Sequence, residues 1–196
     1  MNAYNILRRT GPINIIQFQN NKMKKNFNVS TSYSNDRHIK KILIALDNTP
    51  TAQKVAQSGY SFSRAFGAEV ILIHVIANSV QHSLPVYSPV IKIISYDNTI
   101  TTKPIKKNYL KKATQYFLDR LKQLLGDDNI QTVVADGDYA DEILRTAENL
   151  NVDLIVMGSH PVRWLDKLIF GNVVRKVVNH TSIPIFLVPT NKKNIK

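Results

Sequence analysis

Short apolar runs alternate with amphipathic segments along most of this chain. Five runs are rich in β-branched residues and bounded by turn signals, as expected for strands buried on both faces of a sheet; they span 40–46, 69–76, 130–135, 153–157 and 183–188. The segments between them carry apolar residues at helical spacing. Strands that alternate with helices pair in parallel through right-handed crossovers. The pattern therefore predicts an α/β fold: one domain with a doubly wound, five-stranded parallel sheet and helices on both faces.

The inward faces and the ends of the helices can be predicted from spacing. The residues expected to face the core are Ala52, Val55, Ala56, Gly59, Phe62 and Phe66 in the first helix and Leu110, Ala113, Phe117, Leu121 and Leu124 in the second. Gly67 and Gly126 are expected to end these two helices. The run Asp47-Asn48-Thr49-Pro50 is a start signal for the first helix, Asp138 is expected to cap a third helix, and residues 173–179 form a fourth.

Three segments do not fit the strand and helix pattern. Residues 1–38 are rich in Asn, Ser and Lys, so we expect a disordered basic extension, within which Met23 is a plausible alternative start. Residues 78–107 contain three prolines and form a variable insert of unknown role in the domain at 39–190. Residues 191–196 are a basic tail.

The net charge of +12 lies mostly at the two ends of the chain. Residues 1–41 hold eight basic residues against one acidic residue, and the last five residues hold three lysines. Basic tails are more often solvated ends than specific arms, so this distribution argues against specific nucleic-acid binding. No apolar run reaches the roughly 20 residues of a membrane span. The absence of cysteine excludes disulfides and Cys-ligated zinc, and we expect a cytoplasmic protein.

The fourth predicted strand ends at a glycine. Gly158 follows Met157, and after a loop with basic residues Gly171 opens a Val-rich helix. A glycine lets a ligand approach the backbone, and a helix start offers unpaired N–H groups, so the segment is suited to an anion such as phosphate. Glycines in such loops also occur for steric reasons alone, and that alternative stays open.

Asp47 follows the first strand at the corresponding position. Ligands of doubly wound sheets bind beyond the carboxyl ends of the strands, where the winding direction reverses. The Asp47 side chain could contact a ribose or a metal-bound phosphate, or it could cap the first helix together with Asn48.

Several motifs in order resemble those of the universal stress protein family. They are KKILIALD, EVILIHVI, GDYADEIL, VDLIVMGSH and GNVVRKVVNHTSIPIFLVP, and they cover roughly residues 40–190. The resemblance implies the strand order 3-2-1-4-5, which places a cleft between Asp47 and Gly158. It also implies a homodimer joined through the fifth strand, residues 183–188; the competing possibility is that residues of the insert cover this edge.

Many relatives bind ATP through a loop of the form G-x2-G-x9-G-S/T. Gly158 and Gly171 match this motif, whereas Pro161 replaces the middle glycine and Asn172 the hydroxyl residue. Proline has no N–H to donate, while the Asn172 amide can still donate to an anion, and Arg163 or Lys167 could supply charge. The resemblance implies that the ligand is ATP, together with Mg²⁺, or another adenine nucleotide. The residues implied to hold it are Ala45, Leu46, Asp47, Val75, Gly137, Met157, Gly158, Ser159, His160, Gly171, Asn172, Val173 and Val174.

The other residues with chemical potential have simpler roles. His74 lies in a buried strand and is expected to be a hydrogen-bonded core residue, whereas His160 lies in the loop and is a candidate ligand contact. The remaining histidines, at 38, 82 and 180, show no metal-ligand spacing. Trp164 is expected to pack over the edge of the cleft or in a dimer contact.

Three classes of function are compatible with these observations. The first is a stress protein whose dimer surface responds to ATP, and the second is a dimeric scaffold that binds no nucleotide. The third, an adenylating or phosphate-transferring enzyme, lacks support because the sequence has no P-loop, no Ser-Gly-Gly pyrophosphate loop and no identifiable pair of nucleophile and base. We therefore expect a binding protein rather than an enzyme.

Overall fold

A computed structural model describes residues 15–16, 39–77, 107–159, 162–164, 167–169 and 171–190. The strands are β1 (Ile15–Ile16), β2 (Lys41–Ala45), β3 (Glu69–Ile76), β4 (Gln131–Asp136), β5 (Leu154–Ser159), β6 (Val162–Trp164), β7 (Lys167–Ile169) and β8 (Ile185–Pro189). The helices are α1 (Ala52–Phe66), α2 (Lys107–Leu125), α3 (Tyr139–Asn149) and α4 (Asn172–His180). The insert at 78–107, apart from its last residue, and the tail at 191–196 lie outside the described residues.

The main sheet has the predicted parallel core. Its order is β1-β8-β5-β2-β3-β4, so the five predicted strands follow the order 3-2-1-4-5 and all pair in parallel. The predicted fold class is thereby confirmed. The winding direction reverses between β2 and β5, where Ile42 pairs with Leu154 and Ala45 with Met157. Their carboxyl ends consequently lie side by side.

The outer edge of β8 carries a strand that the sequence pattern did not predict. Ile15 pairs with Phe186 and Ile16 with Ile185, both antiparallel. These two residues belong to the extension that was expected to be disordered. The fifth predicted strand is therefore not the last strand of the sheet.

Alternate side chains of the central strands enter two separate cores. Ile42 and Ile44 of β2 pack on one face of the sheet, against α1 and α2, and Leu43 and Ala45 pack on the other face, against α3 and α4. Such strands are apolar along their whole length because both faces are buried, which is why the sequence shows continuous apolar runs rather than alternation.

The helices confirm most of the predicted inward positions and correct two. Phe66 is 46% exposed and Leu124 is 56% exposed, and both lie in the last turn of their helix. In α2 it is Leu125, one position further on, that packs against the core. Gly67 and Gly126 adopt left-handed backbone angles after the helices, as their predicted role requires.

The segment between β5 and α4 contains a hairpin. It was expected to be an irregular loop after Gly158, but β5 continues to Ser159, and β6 and β7 then pair antiparallel, with Arg163 opposite Leu168. Trp164 thus lies in a strand rather than a loop. His160 and Pro161 lie outside the described residues, as do the side chains of Arg163, Trp164 and Lys167.

Candidate functional site

A cavity of about 300 Å³ lies at the carboxyl ends of β2 and β5. Its walls come from both cores and from the starts of three helices, so residues far apart in sequence meet there. The lining residues are Ala45, Leu46, Asp47, Asn48, Val55, Ile73, His74, Val75, Tyr139, Ile143, Met157, Gly158, Gly171, Asn172, Val173 and Val174. The cavity is at the lower end of the range of small-molecule sites, about 300–1,000 Å³.

The lining is mostly apolar. Ile73, Val75 and Met157 are buried strand residues, and Ile143 faces them from α3. Tyr139 is 39% exposed, and burial of the rest of its ring raises the pKa of its hydroxyl. Among the described residues that line the cavity there is no lysine or arginine, and Asp47 is the one carboxylate. The interior therefore suits an uncharged, largely apolar group.

Asp47 closes a turn instead of capping α1. Its Oδ1 accepts hydrogen bonds from the backbone N of Thr49, at 3.1 Å, and from Thr49 Oγ1, at 2.7 Å. The helix begins at Ala52 after Thr51, which makes no side-chain cap bond. The prediction that Asp47 caps α1 is therefore wrong. Its Oδ1 accepts hydrogen bonds within the turn that precedes the helix, and none from the first turn of the helix. The carboxylate remains exposed at the cavity mouth.

His74 is the buried, hydrogen-bonded histidine that the sequence predicted. Its side chain is 7% exposed, and Nδ1 donates to the carbonyl oxygen of Leu46 at 2.8 Å. Burial lowers the pKa of His74, although the bond to Leu46 and the charge of Asp47 oppose this shift. The neutral imidazole thus fixes the turn after β2 to β3 at the edge of the cavity.

Acidification is expected to destabilise the fold through His74. The pKa of this histidine is near 6.5 in the unfolded chain and lower in the folded protein. The contribution of His74 to stability is therefore complete above about pH 6.5 and is lost as the pH falls, by up to about 1.4 kcal/mol per pH unit. His74→Gln keeps an N–H donor but cannot titrate. Urea unfolding at about pH 7.5 and pH 5.5 should show a smaller pH dependence in this variant than in the wild type. The exposed His180→Gln serves as the control, and an unchanged pH dependence in His74→Gln would contradict the assignment.

The start of α4 offers free backbone donors to the cavity. The first intrahelical bond runs from the N of Arg175 to the O of Gly171, so the N–H groups of Asn172, Val173 and Val174 precede the helical ladder. No side chain caps this end, and Arg175 donates to Asn172 Oδ1 at 3.3 Å, which leaves the Asn172 amide N for another partner. Both features suit an anion.

Gly158 has a packing role that the sequence left open. It lines the cavity, but a Cβ atom there would lie 3.1 Å from Val55 Cγ2 and 3.2 Å from Thr190 Cγ2. The absence of a side chain thus lets α1 and the segment after β8 approach the end of β5. The steric interpretation of this glycine therefore holds alongside any ligand role.

Two of the predicted site residues that the structure describes, Gly137 and Ser159, are not part of the lining. Ser159 is buried, and its carbonyl accepts from Thr190 N at 3.0 Å and from Thr190 Oγ1 at 2.6 Å. Gly137, with φ of 149°, donates to the O of Ile76 and turns the chain towards α3. His160 is not among the described residues. The other ten predicted residues all line the cavity.

Six lining residues were absent from the predicted set. They are Asn48, Val55, Ile73, His74, Tyr139 and Ile143. Asn48 adjoins Asp47, and Tyr139 and Ile143 belong to the α3 segment whose motif was already recognised, so proximity to these motifs could have found them. For Val55 and His74 the sequence indicated only that the side chain faces inward, and not that it lines a cavity.

An exposed ion-pair cluster joins α3 and α4, two of the three helices that border the cavity. Lys176 Nζ of α4 lies 3.1 Å from Asp138 Oδ1 and 2.8 Å from Asp141 Oδ1. Asp138 also caps α3, as predicted, by accepting from the backbone N of Ala140 and of Asp141. The bond from Asp141 N and the contact with Lys176 lower the pKa of Asp138, while the two carboxylates raise the pKa of Lys176.

The described part of the chain has neither a cluster of metal ligands nor a membrane-spanning helix. Within it, no group of three or more acidic or histidine side chains is arranged to hold a metal ion. Among its helices, none combines the length and the apolar character needed to cross a bilayer.

A family model described as the universal stress protein family matches residues 38–189. Universal stress protein MJ0531 from Methanocaldococcus jannaschii is 28% identical over 156 residues, covering 79% of this chain and 84% of the relative. MJ0577 from the same organism is 26% identical over 152 residues, covering 76% of this chain and 94% of the relative.

Solved structures share the fold. The structure of MJ0577 superimposes with a TM-score of 0.57 at 25% identity and covers 80% of this chain and 99% of that chain. A universal stress protein in complex with cAMP superimposes with a TM-score of 0.52 at 15% identity and covers 79% of this chain and 99% of its own.

Proposed function

The chain belongs to the universal stress protein family, and from this premise we propose that it binds an adenine nucleotide reversibly in the cavity between β2 and β5. In this proposal it acts in the stress response through a homodimer and by binding rather than by catalysis. The observation that carries the proposal is the composition of the cavity: an apolar interior that ends at an uncapped helix start.

The interior fits the nucleoside part of such a ligand. Ile73, Val75 and Met157 would provide apolar surface for a base, and the exposed carboxylate of Asp47 would accept hydrogen bonds from ribose hydroxyls. A cavity of about 300 Å³ without a basic lining residue does not suit a buried triphosphate. The phosphates would therefore lie outside the interior, along the start of α4.

The start of α4 would then bind the phosphates. The backbone N–H groups of Asn172 to Val174 and the Asn172 amide supply donors, and the positive end of the helix dipole favours negative charge. Mg²⁺ is commonly held by one or two carboxylates together with phosphate oxygens and water. Asp47 could supply one such ligand, and the nucleotide would have to supply the others.

A solved structure with the same fold supports an adenine nucleotide as the ligand. One universal stress protein with this fold was solved in complex with cAMP, which carries adenine. At 15% identity the likeness concerns the architecture alone. The support for binding in this chain therefore comes from its own cavity.

A second candidate function is a dimeric scaffold without nucleotide. The specific observation in its favour is Pro161, which stands where the ATP-binding motif has a glycine and cannot donate a backbone hydrogen bond. Native mass spectrometry of the purified full-length protein, followed by titration with ATP, distinguishes the two functions. Bound nucleotide or saturable uptake of ATP supports the first candidate, and a dimer that takes up none selects the scaffold.

Replacing Pro161 by glycine is expected to tighten ATP binding about tenfold or more. A restored N–H can donate to a phosphate oxygen, and a charge-assisted bond of this kind is worth about 1.5–3 kcal/mol. Pro161→Ala separates the two effects, because alanine restores the donor without the backbone freedom of glycine. Isothermal titration calorimetry measures both variants. Equal affinity in Pro161→Gly and the wild type would show that the proline does not limit binding.

A further inference from the structure

The two edges of β8 are occupied differently. One edge pairs in parallel with β5, and the other pairs antiparallel with Ile15 and Ile16 of the same chain. β8 extends to Pro189, so β1 lies opposite only its first two residues. An edge strand left open is a template for pairing with another chain. Residues 15–16 therefore cover part of a surface that would otherwise favour self-association.

The covered edge is the edge proposed for the homodimer. A backbone edge that already bonds one strand cannot bond a second strand at the same residues, so Ile185 and Phe186 are unavailable to another copy while β1 is in place. From this we infer that β1 is a displaceable internal cover of β8, which keeps the protein monomeric until it leaves. The inference rests on the proposed homodimer through β8.

The geometry of β1 suits a reversible cover. A pairing of two residues is short compared with the five or six residues of a typical strand, so it is weak by itself. The segment 17–38, 22 residues long, joins it to the domain, so it stays tethered after it leaves. Tethered segments act at effective concentrations of the order of millimolar, which lets a weak pairing compete with a second copy.

The size of the effect follows from the fraction of uncovered molecules. Both copies must be open before they pair, so the apparent dissociation constant of the dimer rises with the inverse square of the open fraction. A cover in place about 90% of the time weakens dimerisation about 100-fold. Removal of the cover should strengthen dimerisation by the same factor.

The first test uses the full-length chain with Ile15→Pro and Ile16→Pro together. Proline removes backbone donors and cannot continue an antiparallel ladder, so β1 should not form. Sedimentation equilibrium is expected to give a dimer dissociation constant about 100-fold lower than that of the wild type. Asn20→Pro with Asn21→Pro, in the same extension, is the matched control and should behave as the wild type.

The second test locks the cover in place. The chain has no cysteine, so Ile15→Cys with Phe186→Cys introduces a single pair at directly opposed positions. The oxidised protein is expected to stay monomeric at concentrations where its reduced form dimerises. Each single variant is a control, since Phe186→Cys also removes the stacking of Phe186 on Phe62, whose ring centroids are 5.0 Å apart.

The outcomes of these tests distinguish the proposed role of β1 from the proposed homodimer. If the proline variant and the wild type dimerise equally, the cover is refuted and the homodimer stands. If neither form dimerises, both the cover and the homodimer are refuted, while nucleotide binding is decided by the titration with ATP. Failure of the cysteine pair to oxidise would also refute the cover, because Ile15 would not lie opposite Phe186.

Discussion

Replacing Gly59 by valine is expected to lower the free energy of unfolding by about 3 kcal/mol. Helix α1 crosses the sheet at this residue so closely that a Cβ atom would lie 2.7 Å from Ile44 Cδ1 and 3.2 Å from Val156 Cγ1. Ile44 and Val156 are fully buried at the centre of the sheet, so neither side chain can move aside freely. Overpacking of this kind costs about 1–3 kcal/mol, and the branched valine side chain falls at the upper end.

Urea denaturation monitored by circular dichroism measures this loss. Gln57→Val is the matched control, because it introduces the same side chain on the exposed face of the same helix and should cost less than about 1 kcal/mol. Gly59→Ala should lie between the two variants, since the gain in helix propensity offsets part of the crowding. A Gly59→Val protein as stable as the control would mean that α1 does not approach the sheet this closely.

Changing Asn172 to aspartate is expected to weaken ATP binding about 100-fold while leaving adenosine binding within about twofold. In the proposed complex the phosphates face this residue, and two phosphate charges within about 6 Å of a new carboxylate cost about 1.4 kcal/mol each at an effective dielectric of about 40. Adenosine carries no phosphate, so the same substitution has nothing to repel. Isothermal titration calorimetry with both ligands gives the comparison.

The fold itself should not suffer from this substitution. An acidic residue in the first turn of a helix is favourable by about 0.3–1 kcal/mol, and Arg175 already contacts position 172. Thermal unfolding is therefore expected at the same or a higher temperature, which rules out loss of structure as the cause of weaker binding. Asn172→Ser, the residue type of the family motif, is the control and should retain ATP. Equal losses for ATP and adenosine would show that the phosphates do not face α4.

The sheet could be predicted from sequence because its strands are buried on both faces. β3 coincides with the predicted run at 69–76, and the order of the five strands followed from the family resemblance. The ends of helices were harder to predict. Phe66 and Leu124 keep the helical spacing of the inward face, but at the last turn the helix has passed the core, and spacing alone does not show where the core ends.

The candidate site was predictable only where its residues adjoin a motif. Ten of the thirteen predicted residues line the cavity because they lie at the carboxyl ends of β2, β3 and β5 or at the start of α4, which meet there. Val55 and His74 enter the lining because α1 and β3 happen to pass close to it, and such distances are set by packing between elements remote in sequence. β1 was missed for a related reason: a strand of two residues is too short to carry a periodic signal.

We expect the ion pairs of Lys176 to make entry into the cavity depend on salt. Tyr139 and Val173 border the cavity from the starts of α3 and α4, which Lys176 holds together through Asp138 and Asp141. Exposed ion pairs are screened as ionic strength rises. Added salt should thus weaken the contact between α3 and α4 and speed the entry of uncharged solutes. It should also slow the approach of anions to the start of α4. Neutral and charged ligands should respond to salt with opposite changes in association rate.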